Sequence, residues 1–305
     1  MIKAILLTGA TGFIGSYLLE DLLQKGYKVV ITKRSSSDTW RINHLLDKIR
    51  SYDVDKIKIE KIFEENKIDC TIHLATHYKK VHSEDDVEKF IDAGIRFPAL
   101  ILQQMVKHNV RFFINTGTFT EYEICPEPIR ENAKKRAHNL YSAFKIAFSD
   151  ILEYYSNEFG IKAIDLKLFS PYGPKDNEKL FVYIVKSFAG GKRFEVTKGE
   201  QKWDWTYVND IVDAYIKSLR YIEIMKNRYE AFNIGADNVH SIREIISLLE
   251  GISGKKELAM FTKEYPKNDI FLVNCNNSKA RKHLGWAPRT DLNTGLKEMY
   301  EFYSK

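Results

Sequence analysis

Between Lys3 and about Leu168 the chain alternates two hydrophobic rhythms. Short apolar runs, KAILLTG from Lys3, YKVVIT from Tyr27, DCTIHLAT from Asp69, VRFFINTG from Val110 and IKAIDLKLF from Ile161, are separated by stretches in which apolar residues return every three or four positions. The first such stretch, FIGSYLLEDLLQKG, shows the helical spacing of Phe13, Leu18, Leu22 and Leu23. Runs of that length suit strands buried on both faces, and a period near 3.6 suits helices packed on them. Strand and helix in repetition predict an α/β fold, a doubly wound parallel sheet with helices on both sides.

After about Pro171 the rhythm becomes turn-rich and mixed. PYGPKDNEK and AGGKRFEVTKGEQKWDW are followed by helical patterns from Asn209, from Ser241 and from Leu292. The strand-like pieces here are too short to stand alone. The expected division is therefore residues 1–170 as the principal domain and 171–305 as a smaller mixed α/β region folded against it, with elements crossing back.

Composition narrows the classes. A chain of 305 residues with 44% hydrophobic side chains can fill a large core. Its 47 basic and 41 acidic residues are interleaved, without the basic stripe and aromatics of a nucleic-acid face, so no nucleic-acid partner is expected, while the charge of +6 leaves room for anionic small substrates. Cys70, Cys125 and Cys275 are odd in number and far apart, which suits neither a disulfide framework nor a zinc site; no metal is expected, and a reducing compartment is. No apolar stretch reaches membrane-spanning length and the opening residues do not read as a signal peptide, so the expectation is a cytoplasmic protein with no membrane partner.

Gly9, Gly12 and Gly15 in TGATGFIG fall between the first strand and the first helix. There a glycine loop can bring backbone N–H groups and a helix N-terminus against a pyrophosphate, so a dinucleotide site is expected. Such sites place a carboxylate about 20 residues after the glycines, on the ribose 2′-hydroxyl. Lys33 stands there, 21 positions after Gly12, followed by Arg34, Ser35 and Ser36. These neutralise and hydrogen-bond a 2′-phosphate that a carboxylate would repel, so NADP(H) is expected over NAD(H). A solvated basic turn is the alternative.

YSAFK sets Tyr141 and Lys145 one turn apart in a helical pattern from about Asn139 to Tyr155. A phenol of pKa about 10 becomes a usable acid–base group if an adjacent ammonium favours its phenolate. The spacing alone is common on helix surfaces. In KWDWTYV, Trp203, Trp205 and Tyr207 alternate onto one strand face, as core packing or as a stacking wall for a base or sugar.

In order, TGATGFIG, HLAT (from His73), TGTF (from Thr116), YSAFK, LKLFSPYGP (from Leu166), GEQKWDWTYVNDIVDAY (from Gly199), FNIG (from Phe232) and SKARKHLGWAP (from Ser278) span nearly the whole chain. This order resembles the extended short-chain dehydrogenases/reductases, the NAD-dependent epimerase/dehydratase family that acts on nucleotide sugars. IHLATHY, NTGTF and NNSKARKHLGW are most similar to the CDP-abequose and CDP-paratose synthase type of 4-ketoreductase. The resemblance implies a Rossmann domain holding NAD(P), a C-terminal region closing on a nucleotide diphosphate sugar, and a homodimer formed by the helices containing Val87 to Met105 and Tyr141 to Tyr155. It gives Thr118 the hydrogen bond to the reacting sugar oxygen, Tyr141 the proton exchange, and Lys145 the nicotinamide ribose. Cofactor contacts are implied for Gly9, Thr11, Gly12, Phe13, Ile14, Gly15, Lys33, Arg34, Ser35, Leu74, Ala75, Thr76, Tyr141, Lys145 and Phe169. Substrate contacts are implied for His77, Thr118, Ser170, Lys202, Trp203 and Lys267, while Asp204 and Asp210 tie loops together.

Departures refine this. Dehydratases of the family carry Asp-Glu directly after the catalytic Thr, where this chain has Phe119 and Thr120; Glu121 and Glu123 stand further on. Gly94 replaces a helical Asn, Lys167 an Arg, Ser170 an Asn, Trp203 an Arg and Lys267 a later Arg. Lysine keeps an arginine's charge but not its bidentate fork. The resulting expectation is NADPH-dependent reduction of the 4-keto group of a nucleotide-linked, CDP-linked in the first instance, 6-deoxy or 3,6-dideoxyhexulose, in deoxysugar biosynthesis for surface polysaccharide. The alternatives are a 4-epimerase with bound NAD and a non-catalytic dinucleotide-binding regulator.

Overall fold

A computed structural model describes residues 1–267 and 269–305. In chain order the first part runs β1 (Ala4–Thr8), α1 (Phe13–Gln24), β2 (Lys28–Lys33), β3 (Arg50–Asp53), α2 (Ile59–Glu65), β4 (Cys70–His73), α3 (Asp86–Ile91), α4 (Phe97–Lys107), β5 (Phe112–Thr118), α5 (Leu140–Phe159) and β6 (Lys162–Leu168). Each of the five apolar runs read from the sequence contains one strand. Between α3 and α4 a π-helical segment, Asp92–Arg96, keeps the path continuous.

The second part runs β7 (Pro171–Tyr172), α6 (Leu180–Gly190), β8 (Phe194–Glu195), β9 (Lys202–Asp204), β10 (Thr206–Tyr207), α7 (Val208–Ile224), β11 (Tyr229–Ile234), β12 (Val239–Ser241), α8 (Ile242–Ser253), β13 (Ala259–Met260), β14 (Leu272–Val273), α9 (Ser278–Leu284) and α10 (Leu292–Tyr303). Its strands pair in twos and threes, except β11, which returns to complete a seven-stranded sheet in the order β11-β6-β5-β4-β1-β2-β3. Every pairing in that sheet is parallel.

Alternate residues of the strands feed two cores, as a sheet covered on both faces requires. Ile5, Leu7, Ile31, Ile72, Ile114 and Leu166 pack with Leu18, Leu19 and Leu22 of α1 and with Ile211, Tyr215 and Leu219 of α7. On the other face Leu6, Val30, Phe113 and Ala163 pack with α2, α4 and α5 through Ile62, Phe63, Leu102, Met105, Phe148 and Leu152. Residues 208–234 thus cross back from the second part to cover and extend the first sheet. A third core, built from α6, α8 and α10, closes against Phe13 at the start of α1. Among the described residues no helix is long and apolar enough to cross a membrane.

Trp286 pins the returning tail. Its indole is fully buried in the first core and its Nε1 donates to the Asp210 carbonyl at 2.7 Å, while the Asp210 carboxylate accepts the N–H groups of Arg289 and Thr290 at 3.0 Å each. Trp286→Ala leaves a large cavity and removes the indole hydrogen bond, and is expected to cost about 3–5 kcal/mol. Urea denaturation read by circular dichroism checks this.

Candidate active site

The loop from β1 to α1 is built for close approach. Gly9 has φ +73°, and a Cβ there would lie 2.6 Å from the Ala75 nitrogen; a Cβ on Gly15 would lie 2.1 Å from the Gly9 carbonyl oxygen. Gly12 is the N-cap of α1 and has no side chain to satisfy the first-turn N–H groups, and no acidic residue stands in that turn. These free donors and the positive end of the helix fit the pyrophosphate of a dinucleotide. Thr8 braces the opposite wall: its Oγ1 accepts from the N–H groups of Leu74 (3.2 Å) and Ala75 (3.1 Å) and lies 2.8 Å from His73 Nδ1. Burial first, then the Lys145 charge, push the His73 imidazole well below its usual range, so it stays neutral in that brace.

From this loop a cleft of about 1450 Å³ runs to the second part of the chain. That exceeds the roughly 300–1,000 Å³ of a single small-molecule site and leaves room for two ligands end to end. Gly9, Thr11, Gly12, Phe13, Ile14, Gly15, Lys33, Arg34, Leu74, Ala75, Thr76 and Tyr141 line it, as do His77, Thr118, Ser170, Trp203 and Lys267.

Four of the residues assigned cofactor or substrate contacts from the sequence do not line it. Ser35 turns to the β3 side, its N–H donating to Asp55 and its hydroxyl to Asp53 at 2.7 Å. Phe169 is buried against Phe119, with ring centroids 5.6 Å apart. Lys202 is exposed on β9, where the pleat turns it away from its neighbour Trp203. Lys145 sits behind Tyr141, its Nζ donating to the Thr116 carbonyl at 2.7 Å.

The adenosine end of the cleft carries Thr32, Lys33, Arg34 and Ser37 on one side and Val54, Asp55 and Lys58 on the other. The second group escaped the sequence reading because it follows β3, whose RSYD has no apolar run to announce a strand. Arg34 and Ser37 close a turn, the Arg34 N–H donating to Ser37 Oγ at 2.9 Å, and among the described residues neither Lys33 nor Arg34 is paired with a carboxylate.

At the other end Thr118 closes β5 and caps the short turn Phe119–Glu121. Its Oγ1 meets Thr120 Oγ1 at 3.2 Å, which accepts from Ser142 Oγ at 2.9 Å, tying Thr118 to the first turn of α5. Asn139 caps that helix through Ser142 N–H at 2.9 Å, and so aims Tyr141 into the cleft, edge-on to Tyr78 at 5.0 Å. Gly94 lies in the π-helical segment, where a Cβ would press on Phe144 of α5 at 3.1 Å. A π segment beside a site is a common device for adjusting a helix locally.

One expectation is corrected. Lys145 does not favour the Tyr141 phenolate: its Nζ lies 5.8 Å from the ring centroid and is turned to Thr116. Burial, and next the Glu121 carboxylate, push the phenol up from its ordinary value, so Tyr141 holds its proton near neutrality. Burial brings Lys145 down to about 8, against the pull of Glu121 and Asp165.

Neither downstream glutamate opens to the cleft. Glu121 is buried against Lys167, and Glu123 pairs outside with Lys134 and Arg136. Phe119 and Thr120, which follow Thr118 directly, line the cleft instead.

Trp203 and Trp205 both pack and line the cleft. Their rings stack at 5.5 Å, with each N–H satisfied by a backbone carbonyl, of Ile270 and His240. Tyr207, expected beside them, instead packs on Tyr172. Asp204 ties loops, accepting from Ala236 N–H (2.6 Å) and Asp237 N–H (2.7 Å), and burial pushes it up to about 7. Ser170, at φ +29°, lines the cleft and leaves a buried hydroxyl without a partner among the described residues.

The model of the NAD dependent epimerase/dehydratase family matches residues 5–235. The chain belongs to this family. It is 25% identical to CDP-abequose synthase of Salmonella muenchen over 97% of each chain, and 25% identical to UDP-glucose 4-epimerase of Bacillus subtilis over 97% of this chain and 94% of that one. A UDP-glucuronic acid 4-epimerase from Bacillus cereus, solved with UDP-glucuronic acid and NAD, superposes with TM-score 0.86 at 25% identity over 98% of both chains. The seven-stranded parallel sheet and its helices are thus the Rossmann-type fold of the epimerase/dehydratase family.

Proposed function

We propose that the protein is an NADPH-dependent ketoreductase acting at C4 of a nucleotide-linked, CDP-linked in the first instance, 6-deoxy or 3,6-dideoxyhexulose. The observation that carries the choice is the end of β2: Lys33 and Arg34 line the adenosine end of the cleft, unpaired with a carboxylate among the described residues, where a carboxylate would repel a 2′-phosphate. Likeness to CDP-abequose synthase supports the sugar class.

Bound NADPH supplies the hydride. Tyr141, held as a phenol, donates the proton to the oxygen that becomes the alcohol, and is reprotonated through a chain that involves the nicotinamide ribose hydroxyl and Lys145. The Thr118 hydroxyl donates a second hydrogen bond to the same oxygen as charge develops on it. Trp203 and Trp205 supply a flat wall for the base or sugar, and Lys267, which lines the cleft, is the cation for the nucleotide phosphates. Val87, Ile91, Tyr154 and Phe159 are exposed on α3 and α5, which supports a homodimer through these helices; light scattering after gel filtration tests it. The free cysteines suit a cytoplasmic location.

The test is the initial rate of NADPH and, separately, NADH oxidation with the CDP-linked 3,6-dideoxy-4-hexulose. NADPH is expected to be preferred, and the Lys33→Asp/Arg34→Ala variant is expected to shift the preference towards NADH by about 100-fold, the loss of two charged contacts of about 1.5 kcal/mol each. A second reading, a 4-epimerase with bound NAD, is favoured by Asp55 at the same end of the cleft. NAD carried through purification, with no preference for NADPH, would establish it.

A further inference from the structure

Behind the strand end that bears Thr118 lies a buried ion cluster in which none of the charged side chains lines the cleft. Lys167 Nζ donates to Glu121 Oε2, to Asp165 Oδ2 at 2.8 Å and to Ser149 Oγ at 3.0 Å, and the three charged side chains are at most 3% exposed. Glu121 Oε1 accepts the backbone N–H of Thr118 at 2.8 Å. Asp165 also takes Asn115 Nδ2 at 3.1 Å and the Tyr229 hydroxyl at 3.0 Å. Gly117 makes room for the cluster: a Cβ there would stand 2.5 Å from Lys167 Cδ and 2.8 Å from both Asp165 Oδ1 and Glu121 Oε1. Ser149, one turn beyond Lys145 on α5, lies 2.7 Å from Asp165 Oδ2. The cluster therefore joins the strand that presents Thr118 to the helix that presents Tyr141 and Lys145.

Burial raises the Glu121 carboxyl while Lys167 and the Thr118 N–H favour its charged form; with Glu121 and Asp165 both ionised, two carboxylates face one ammonium and the charge does not close on itself. The charged and titratable groups whose fields reach Lys145 and Tyr141 are Glu121 from the turn after β5, Asp165 and Lys167 from β6, neutral His73 from β4, Tyr215 from α7 and Tyr78 from the loop after β4. We propose that Glu121 is a positioning residue for the reaction: it holds Thr118 through the backbone N–H and, with Asp165 and Lys167, leaves one buried negative charge that balances the Lys145 ammonium. This rests on the reading of Thr118, Tyr141 and Lys145 as the reacting set. Glu121 acts through them and touches no substrate. Simple core filling does not predict its electrostatic effect, since an apolar replacement of a buried ion pair is often neutral for stability.

The experiment follows Lys145 directly. Protein labelled with ¹³C at lysine Cε is titrated by NMR, with the Lys145 resonance assigned from Lys145→Arg. In the unaltered protein Lys145 is expected to titrate near pH 8. Glu121→Gln keeps an acceptor for Thr118 but removes the charge, and an ammonium that loses a nearby carboxylate releases its proton at lower pH, by about one unit. Glu121→Gln/Lys167→Met removes one charge of each sign, restores the single buried negative charge, and is expected to bring the midpoint back. The basic limb of NADPH oxidation with the CDP-linked 4-keto sugar should move with it, with kcat falling and KM little changed.

An unmoved Lys145 midpoint in Glu121→Gln, or a double variant that stays shifted, overturns the proposal. If Glu121→Gln does not fold by near-ultraviolet circular dichroism, Asp165→Asn removes the same unit of charge and is expected to shift the midpoint likewise; no shift there overturns it equally. Full turnover by Tyr141→Phe would sink the functional reading alone, since the titration of Lys145 still decides the charge balance.

Discussion

Tyr141→Phe is expected to lower turnover by about 10²–10⁴-fold while changing dinucleotide affinity little. The substitution removes one oxygen from a side chain that already packs edge-on to Tyr78, so the ring and its neighbours keep their places. The new alcohol then has no donor among the aimed side chains except Thr118, whose hydroxyl is shared with Thr120. The loss belongs in kcat, because the proton moves only as the carbonyl is reduced. Stopped-flow measurement of NADPH oxidation, beside fluorescence titration of NADPH binding, separates the two quantities. An equal loss in binding would place Tyr141 in the cofactor wall instead.

Gly15→Ala is expected to abolish measurable dinucleotide binding at concentrations that saturate the unaltered protein, a weakening of about 100-fold or more, and to destabilise the fold by about 1–3 kcal/mol. The added methyl would sit 2.1 Å from the Gly9 carbonyl oxygen and 3.0 Å from Ala10 Cα, both backbone and unable to step aside. Relief comes only by moving the loop or the start of α1, and either displaces the N–H groups that face the pyrophosphate. Gly26→Ala, at a turn where nothing lies within 4 Å of the added methyl, is the control: its cost is set by φ +81° alone and NADPH binding should persist. Calorimetric titration with NADPH and thermal unfolding of both variants provide the comparison.

The contrast between what could be read and what could not follows the range of each signal. β1, β2, β4, β5 and β6 announced themselves because interior strands of a parallel sheet are buried on both faces, as Cys70–His73 illustrates, and so read as largely apolar runs. β3, an edge strand of sequence RSYD, has only its pairing to β2 to define it, and with it Asp55 and Val54 at the adenosine end went unseen. β11 lay outside the expected sheet because YEAFNI sits in the second half and pairs with β6 only after α7 has crossed back. Tyr141 and Lys145 were legible through helical spacing, but the direction of the Lys145 Nζ was not, since it depends on the carbonyl of Thr116 on another element. Glu121 was visible only as a carboxylate near Thr118; its partner Lys167 is 46 residues away, and no local pattern links the two.

Transfer of deuterium from NADPH carrying the label at the transferred position of nicotinamide C4 to the CDP-linked 3,6-dideoxy-4-hexulose tests the central claim most directly. The account predicts one deuterium at sugar C4 for each NADPH oxidised, and a reduced sugar that accumulates in step with NADP. No label in the sugar, with NAD bound to the protein and a nucleotide-linked hexose interconverted at C4 without net cofactor consumption, would contradict it.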